Sequence, residues 1–86
     1  MKILGTNLCS ECQNAKIELQ LAGIKYEYTN FTDSIEALKE FIRFRDTHKE
    51  FDTAKINGKI GVPCFVFEDG EIVFNVEDAI QKLKHS

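Results

Sequence analysis

Tryptophan is absent from this 86-residue sequence, proline and methionine occur once each, and histidine occurs twice. No apolar run approaches the ~18 residues that a membrane span needs, so a membrane protein is not expected. Three cysteines are too few, and odd in number, for the disulfide framework of a small secreted domain. Basic residues do not dominate: 11 Lys and Arg stand against 14 Asp and Glu, a formal net charge of −3. No continuous basic surface is there to neutralise phosphates, which argues against a nucleic-acid partner. The one basic concentration, Arg43, Arg45, His48 and Lys49, is broken by Asp46 and Glu50 and reads as a solvated helix face. The opening "MKILGTNLC" carries one lysine and too short an apolar stretch for a secretory signal. The mature chain is therefore expected to begin here and to reside in the reducing cytoplasm. No repeat, low-complexity segment or linker interrupts it.

What is present suits a single globular domain over 1–86, expected to be monomeric. Apolar content is 43% and charged content 29%, the balance of an ordinary domain with a modest core. "KILGT" (2–6) reads as a buried strand. Cys12, Ala15, Leu19 and Ala22 follow at helical spacing, and Gly23 is a natural stop. "KYEYT" (25–29) alternates, which places Tyr26 and Tyr28 on one face of a strand. Asp33, with Glu36 three residues on, resembles a capping box opening a helix with Leu38, Phe41, Ile42 and Arg45 along it. Residues 53–61, with Asn57-Gly58 and Gly61, read as a loop. "CFVFEDGEIVF" (64–74) is two strands around Asp69-Gly70, the pair favoured in a two-residue type I′ hairpin. Asn75 caps a last helix striped by Val76, Ala79, Ile80 and Leu83.

The order is β-α-β-α-β-β-α, an α/β fold: a four-stranded mixed sheet flanked by three helices. A right-handed crossover makes the first two strands parallel, and the last two form an antiparallel hairpin. In open sheets of this kind, chemistry gathers beyond the C-terminal ends of the parallel strands. "NLCSEC" (7–12) falls there. A thiol at a helix N-terminus meets unpaired backbone N–H groups and the positive end of the dipole, both of which favour thiolate. Cys9 is accordingly expected to be the attacking nucleophile. Cys12, one turn on, is expected to be the resolving thiol of a redox-active disulfide. Glu11, lying between them, opposes thiolate formation and is expected to make the pair more reducing. The competing reading of one CxxC is half a zinc site. Zinc generally takes four ligands, and the remaining candidates are a distant Cys64 and two histidines, His48 and His85, that read as surface residues.

"GVPCF" (61–65), taken with the CxxC at a strand–helix junction, resembles the thioredoxin superfamily. Size and element order are similar to the glutaredoxins. The resemblance implies a thioredoxin-like fold and a dithiol–disulfide oxidoreductase of protein or glutathione-mixed disulfides. It implies no bound cofactor, glutathione as co-substrate, and a cis Pro63 facing the CxxC. Val62 would offer its backbone to an incoming peptide or glutathione. The chain departs from the glutaredoxin pattern in three places. Ser10-Glu11 replaces Pro-Tyr, Thr6 stands where a lysine is usual, and Asn75-Val76-Glu77-Asp78 lacks a Gly-Gly pair. Lys59, with Arg45 behind it, is the candidate replacement charge, and Asp78 the candidate partner for an ammonium group. A thioredoxin-type reductase is the alternative electron donor. Cys64, next to Pro63, is read first as a small buried hydrophobe. The alternative function is metal or iron–sulfur binding through Cys9, Cys12 and Cys64.

Overall fold

A computed structural model describes residues 1–84 of the chain. Strand β1 (Lys2–Gly5) leads through a short turn into helix α1 (Ser10–Leu21). Strand β2 (Glu27–Asn30) follows, and then helix α2 (Ile35–Thr47). After a 3₁₀ turn (Lys49–Phe51) come a short helix α3 (Asp52–Ile56), the hairpin strands β3 (Cys64–Val66) and β4 (Ile72–Val73), and helix α4 (Val76–Lys84). The sheet order is β2-β1-β3-β4. β1 and β2 run parallel, while β3 is antiparallel to both β1 and β4. The molecule is a small α/β domain with a mixed, open four-stranded sheet.

Pleat alternation sends neighbouring side chains to opposite sheet faces. Ile3 and Phe65, which are paired in the register, point to the face covered by α1 and α4. There they meet Ala15, Leu19, Val76 and Ala79. Leu4 and Cys64, the next pair, point the other way and pack with Phe31, Phe41, Phe51 and Ile72. α1 stops as its glycine requires. Gly23 takes φ +71°, its N–H bonds Gln20 O, and the Ile24 N–H reaches back to Leu19 O. That is a Schellman closure of the helix end.

Four expectations are corrected. The chain has four α-helices among the described residues, not three, because 49–56 coils into the 3₁₀ turn and α3 before the 57–61 loop begins. The cause is Phe51. Wholly buried, it meets Phe41, Phe44 and Phe74 edge-on, with centroids 6.2, 5.8 and 5.0 Å away. One tight turn after α2 is what carries it inward. The cap of α2 is Ser34, whose Oγ accepts the Ala37 N–H at 3.0 Å. Asp33 instead accepts from the Asn30 side chain. Ile42 is exposed, and Phe44 takes its place against the core. The hairpin is not type I′, since that turn needs positive φ at both central residues and only Gly70 has it, at +90°. The Gly70 N–H bonds Phe67 O, and the Phe67 N–H bonds Glu71 O. This is the three-residue loop ending in a glycine bulge.

The corrected cap is open to test by urea and thermal unfolding. Ser34→Ala is expected to lower stability by about 1 kcal/mol, a Tm drop of roughly 4–8 °C for a domain this small. Asp33→Ala should cost less than half as much.

Candidate functional site

The turn between β1 and α1 is built by Thr6. Its main-chain carbonyl accepts the Cys9 N–H at 3.1 Å, and its hydroxyl accepts the Leu8 N–H at 3.2 Å. Thr32 Oγ1 donates to Asn30 Oδ1 at 2.6 Å, which leaves Thr6 to donate to Thr32 across 2.8 Å. This chain of hydroxyls ties the turn to the end of β2. Thr6 is buried, so it is a clamp and not a surface substitute for lysine.

Cys9 is the N-cap of α1. Its backbone is extended, and its sulfur accepts the Cys12 N–H at 3.2 Å. A sulfur in that role satisfies one of the free N–H groups of the first turn, and charge on it meets the positive helix end. Cys9 is partly exposed and Cys12 wholly buried, and both are free thiols. Burial pushes the Cys12 thiol up to about 12, helped by its hydrogen bond with Cys9 and by the nearby Cys9 and Glu11 charges. A backbone hydrogen bond from Thr6 opposes that rise. The pair therefore divides into an accessible sulfur on a helix end and a protonated sulfur beneath it.

Gly5 makes room for this arrangement. A Cβ there would stand 3.0 Å from Cys12 Sγ and 2.9 Å from Tyr28 Oη. A groove of about 880 Å³ opens beside Cys9, lined among others by Glu11, Glu50, Lys59, Ile60 and Val62. The Val62–Pro63 peptide is cis. Val62 lines the groove and Pro63 is buried behind it. Gly61 reaches this place at φ +94°, where a Cβ would meet Phe51 at 2.7 Å. Lys59 lines the groove, whereas Arg45 does not. The Arg45 guanidinium donates to the carbonyls of Lys59 and Ile60 at 2.7 and 2.9 Å, bracing the loop against α2. Asp78 is not among the groove residues. It closes the start of α4, where its carboxylate accepts from Asn75 Nδ2 and its N–H donates to Asn75 Oδ1.

Cys64 is on the wrong face to join the pair. It packs beside Leu4 in the α2 layer, while Cys12 borders Gly5 on the α1 side. Burial, reinforced by Glu50, pushes its thiol up to about 12. Among the described residues, no group of three His, Cys, Asp or Glu is placed to hold a metal ion. His48 is stacked on Phe44 and its Nδ1 lies 2.8 Å from Phe44 O, closing the end of α2. His85 lies outside the described residues. No helix among them is long and apolar enough to cross a membrane.

Over 68 residues the chain is 34% identical to a Haemophilus influenzae protein described as uncharacterized, a match covering 79% of each. The chain belongs to the family of that protein. No family model and no solved structure matches it.

Sequence reasoning missed Thr6, Thr32 and Tyr28. The strand alternation of 25–29 set Tyr28 on one face with Tyr26, but no local pattern reports that its hydroxyl ends beside a thiol.

Cys64 predicts a pH dependence. From an ordinary thiol value of 9.0 it is raised to about 12 in the fold. Below pH 9 it is protonated folded and unfolded alike. Above that the unfolded chain loses its proton first, so stability falls as pH climbs from 9 towards 12. Urea midpoints of the reduced protein at about pH 8 and about pH 10 should show this fall, and Cys64→Ala should make it shallower.

Proposed function

We propose that the protein is a dithiol–disulfide oxidoreductase, glutaredoxin-like and of thioredoxin-like fold, that works through Cys9 and Cys12. The observation that carries this reading is the Cys9 sulfur capping α1, accepting a first-turn N–H above a buried, protonated Cys12. The parallel β1-α1-β2 unit and the β3–β4 hairpin that begins just after Pro63 support it. The Cys9 thiolate attacks a substrate disulfide, RS–SR′. A Cys9–SR bond forms, and R′S⁻ leaves with the electron pair and takes up a proton from water. Cys12 then gives its proton to water and attacks the Cys9 sulfur. The Cys9–Cys12 disulfide forms, and RS⁻ departs and is protonated. Two electrons have passed from the dithiol to the substrate. The helix end stabilises charge on the first sulfur, and burial holds the second in reserve until a mixed disulfide places its target one turn away.

The groove bears on the substrate. Glu11 and Glu50 stand against Lys59 alone, which disfavours an anionic tripeptide and favours a neutral or cationic protein disulfide. Val62 lines the groove and Pro63 backs it, as backbone and wall for an extended segment. Asp78 and Arg45 have other partners within the fold, so Lys59 is the remaining charge for glutathione. On this reading a thioredoxin-type reductase is the better donor, glutathione the weaker one, and the protein acts in the cytoplasm as a monomer. No observation favours the metal or iron–sulfur alternative, whose third thiol, Cys64, faces the other side of the sheet.

Turnover of a protein disulfide, measured with each donor in turn, tests the reading. Cys9→Ser should abolish it, and activity surviving in that variant would overturn the assignment. Cys12→Ser should accumulate mixed disulfides, visible by mass, and keep only monothiol activity on glutathionylated substrates. Glu11→Gln should make the pair less reducing. An exposed charge acting with ~0.2–1 kcal/mol corresponds to roughly 5–20 mV for a two-electron couple, read from equilibrium with a glutathione buffer.

A further inference from the structure

The hydroxyl of Tyr28 is explained neither by core packing nor by the groove. The residue stands on β2, paired with Ile3 of β1, with its ring among the apolar residues under α1. Its hydroxyl does not suit those surroundings. Oη is buried and has no hydrogen-bond partner. Leaving a buried hydroxyl unpaired lowers stability, and such groups in folded proteins call for a reason. The location of Oη supplies one. The point where a Gly5 Cβ would stand is 2.9 Å from Oη and 3.0 Å from Cys12 Sγ. Hydroxyl and thiol border the same small space, which exists because residue 5 has no side chain. They are near enough that, after burial, Cys12 and then Cys9 are what push the phenol up to about 12. Oη makes no hydrogen bond of full geometry in the fold, yet it lies close enough to Cys12 for an Oη–thiol contact to add to that rise. Lys16, one turn beyond Cys12, places its ammonium 4.0 Å from the centre of the Tyr28 ring. A cation over the ring draws on its electrons and sharpens the phenol as a donor.

We propose that Tyr28 is a catalytic residue that donates its O–H to the Cys12 sulfur when that sulfur carries negative charge. The proposal rests on the dithiol reading above. During resolution the Cys12 thiol gives its proton to water, and Tyr28 bonds the thiolate so formed. The thiolate attacks the Cys9 sulfur, the Cys9–Cys12 bond forms, and the Cys9–SR bond breaks. RS⁻ leaves with the electron pair and is protonated by water. When a donor thiol later attacks Cys9 of the disulfide, Cys12 departs as thiolate and meets the same O–H. Tyr28 keeps its own proton throughout. A donor already in place when charge appears lowers the barrier without having to reorganise.

The test uses an aromatic disulfide, 5,5′-dithiobis(2-nitrobenzoate), equimolar with the reduced full chain in a stopped-flow instrument. Attack by Cys9 releases one coloured thiolate, and resolution by Cys12 releases the second. In Tyr28→Phe the first release should stay within about twofold of wild type, and the second should slow by about 10–100-fold, the range of a hydrogen bond to a charged group. Urea unfolding separates this from a structural role. Removing an unpaired buried hydroxyl should leave the unfolding midpoint unchanged or raise it, whereas a packing role would lower it. Lys16→Met should slow the second release by a few-fold, leaving the tyrosine in place. A second release equally fast in wild type and Tyr28→Phe overturns the proposal. If wild type itself gives no second release, the dithiol reading fails and this inference fails with it.

Discussion

The side chain missing from Gly5 is the constraint on which the site depends. β1 is an interior strand, bonded to β2 on one side and β3 on the other, and α1 crosses its inner face. At the end of that strand Cys12 Sγ stands 3.0 Å from where a Cβ would sit. α1 can therefore lie close to the sheet at its first turn. That closeness helps bury Cys12, while the cap of α1 sets its N–H on the Cys9 sulfur and leaves Cys9 partly exposed. A side chain at position 5 would press on the Tyr28 hydroxyl and the Cys12 sulfur and force one of them to shift. A shift of Cys12 would alter the burial that keeps its thiol protonated.

A second glycine shapes the opposite wall. Gly61 passes against the Phe51 ring at a distance that admits no Cβ, in a conformation few other residues adopt. Phe51 is held by three other aromatic rings, so the path into Val62-Pro63 is anchored in the core and does not depend on the loop alone. Arg45 adds a polar brace through two carbonyls of that loop. The groove thus has rigid walls on both sides, with Thr6 and Thr32 tying its floor to β2. Its charge is weakly acidic.

Much of this was readable along the chain, and for local reasons. Helical stripes, the Gly23 stop, the Asn75–Asp78 cap and the placement of Cys9 before α1 all depend on residues within a few positions of one another. The misread places needed a choice between near-equal local signals. Asp33 and Ser34 are both good caps, and the choice falls to whichever backbone is extended at the turn. Asp69-Gly70 suits two kinds of hairpin, and the third loop residue, Glu68, decides between them. Phe51 sat in a polar stretch with no periodicity of its own, and only its partners, 7 to 23 residues away in sequence, make it core. Arg45 and Asp78 have the right charges for a ligand, yet fold-internal carbonyls and caps occupy them.

The sequence by itself determined most of the elements and their order, α3 apart, and the presence of a thiol on a helix start with a second thiol one turn behind. These follow from short-range periodicity and capping. Only the tertiary structure decided which face each buried group takes. Pairing Leu4 with Cys64 puts that thiol on the α2 side, while the next step along β1 opens the space shared by Cys12 and Tyr28. The side-chain period of a strand is two, so a register change of one residue would exchange these faces. Register is set by contacts between strands distant in sequence, which no local pattern encodes.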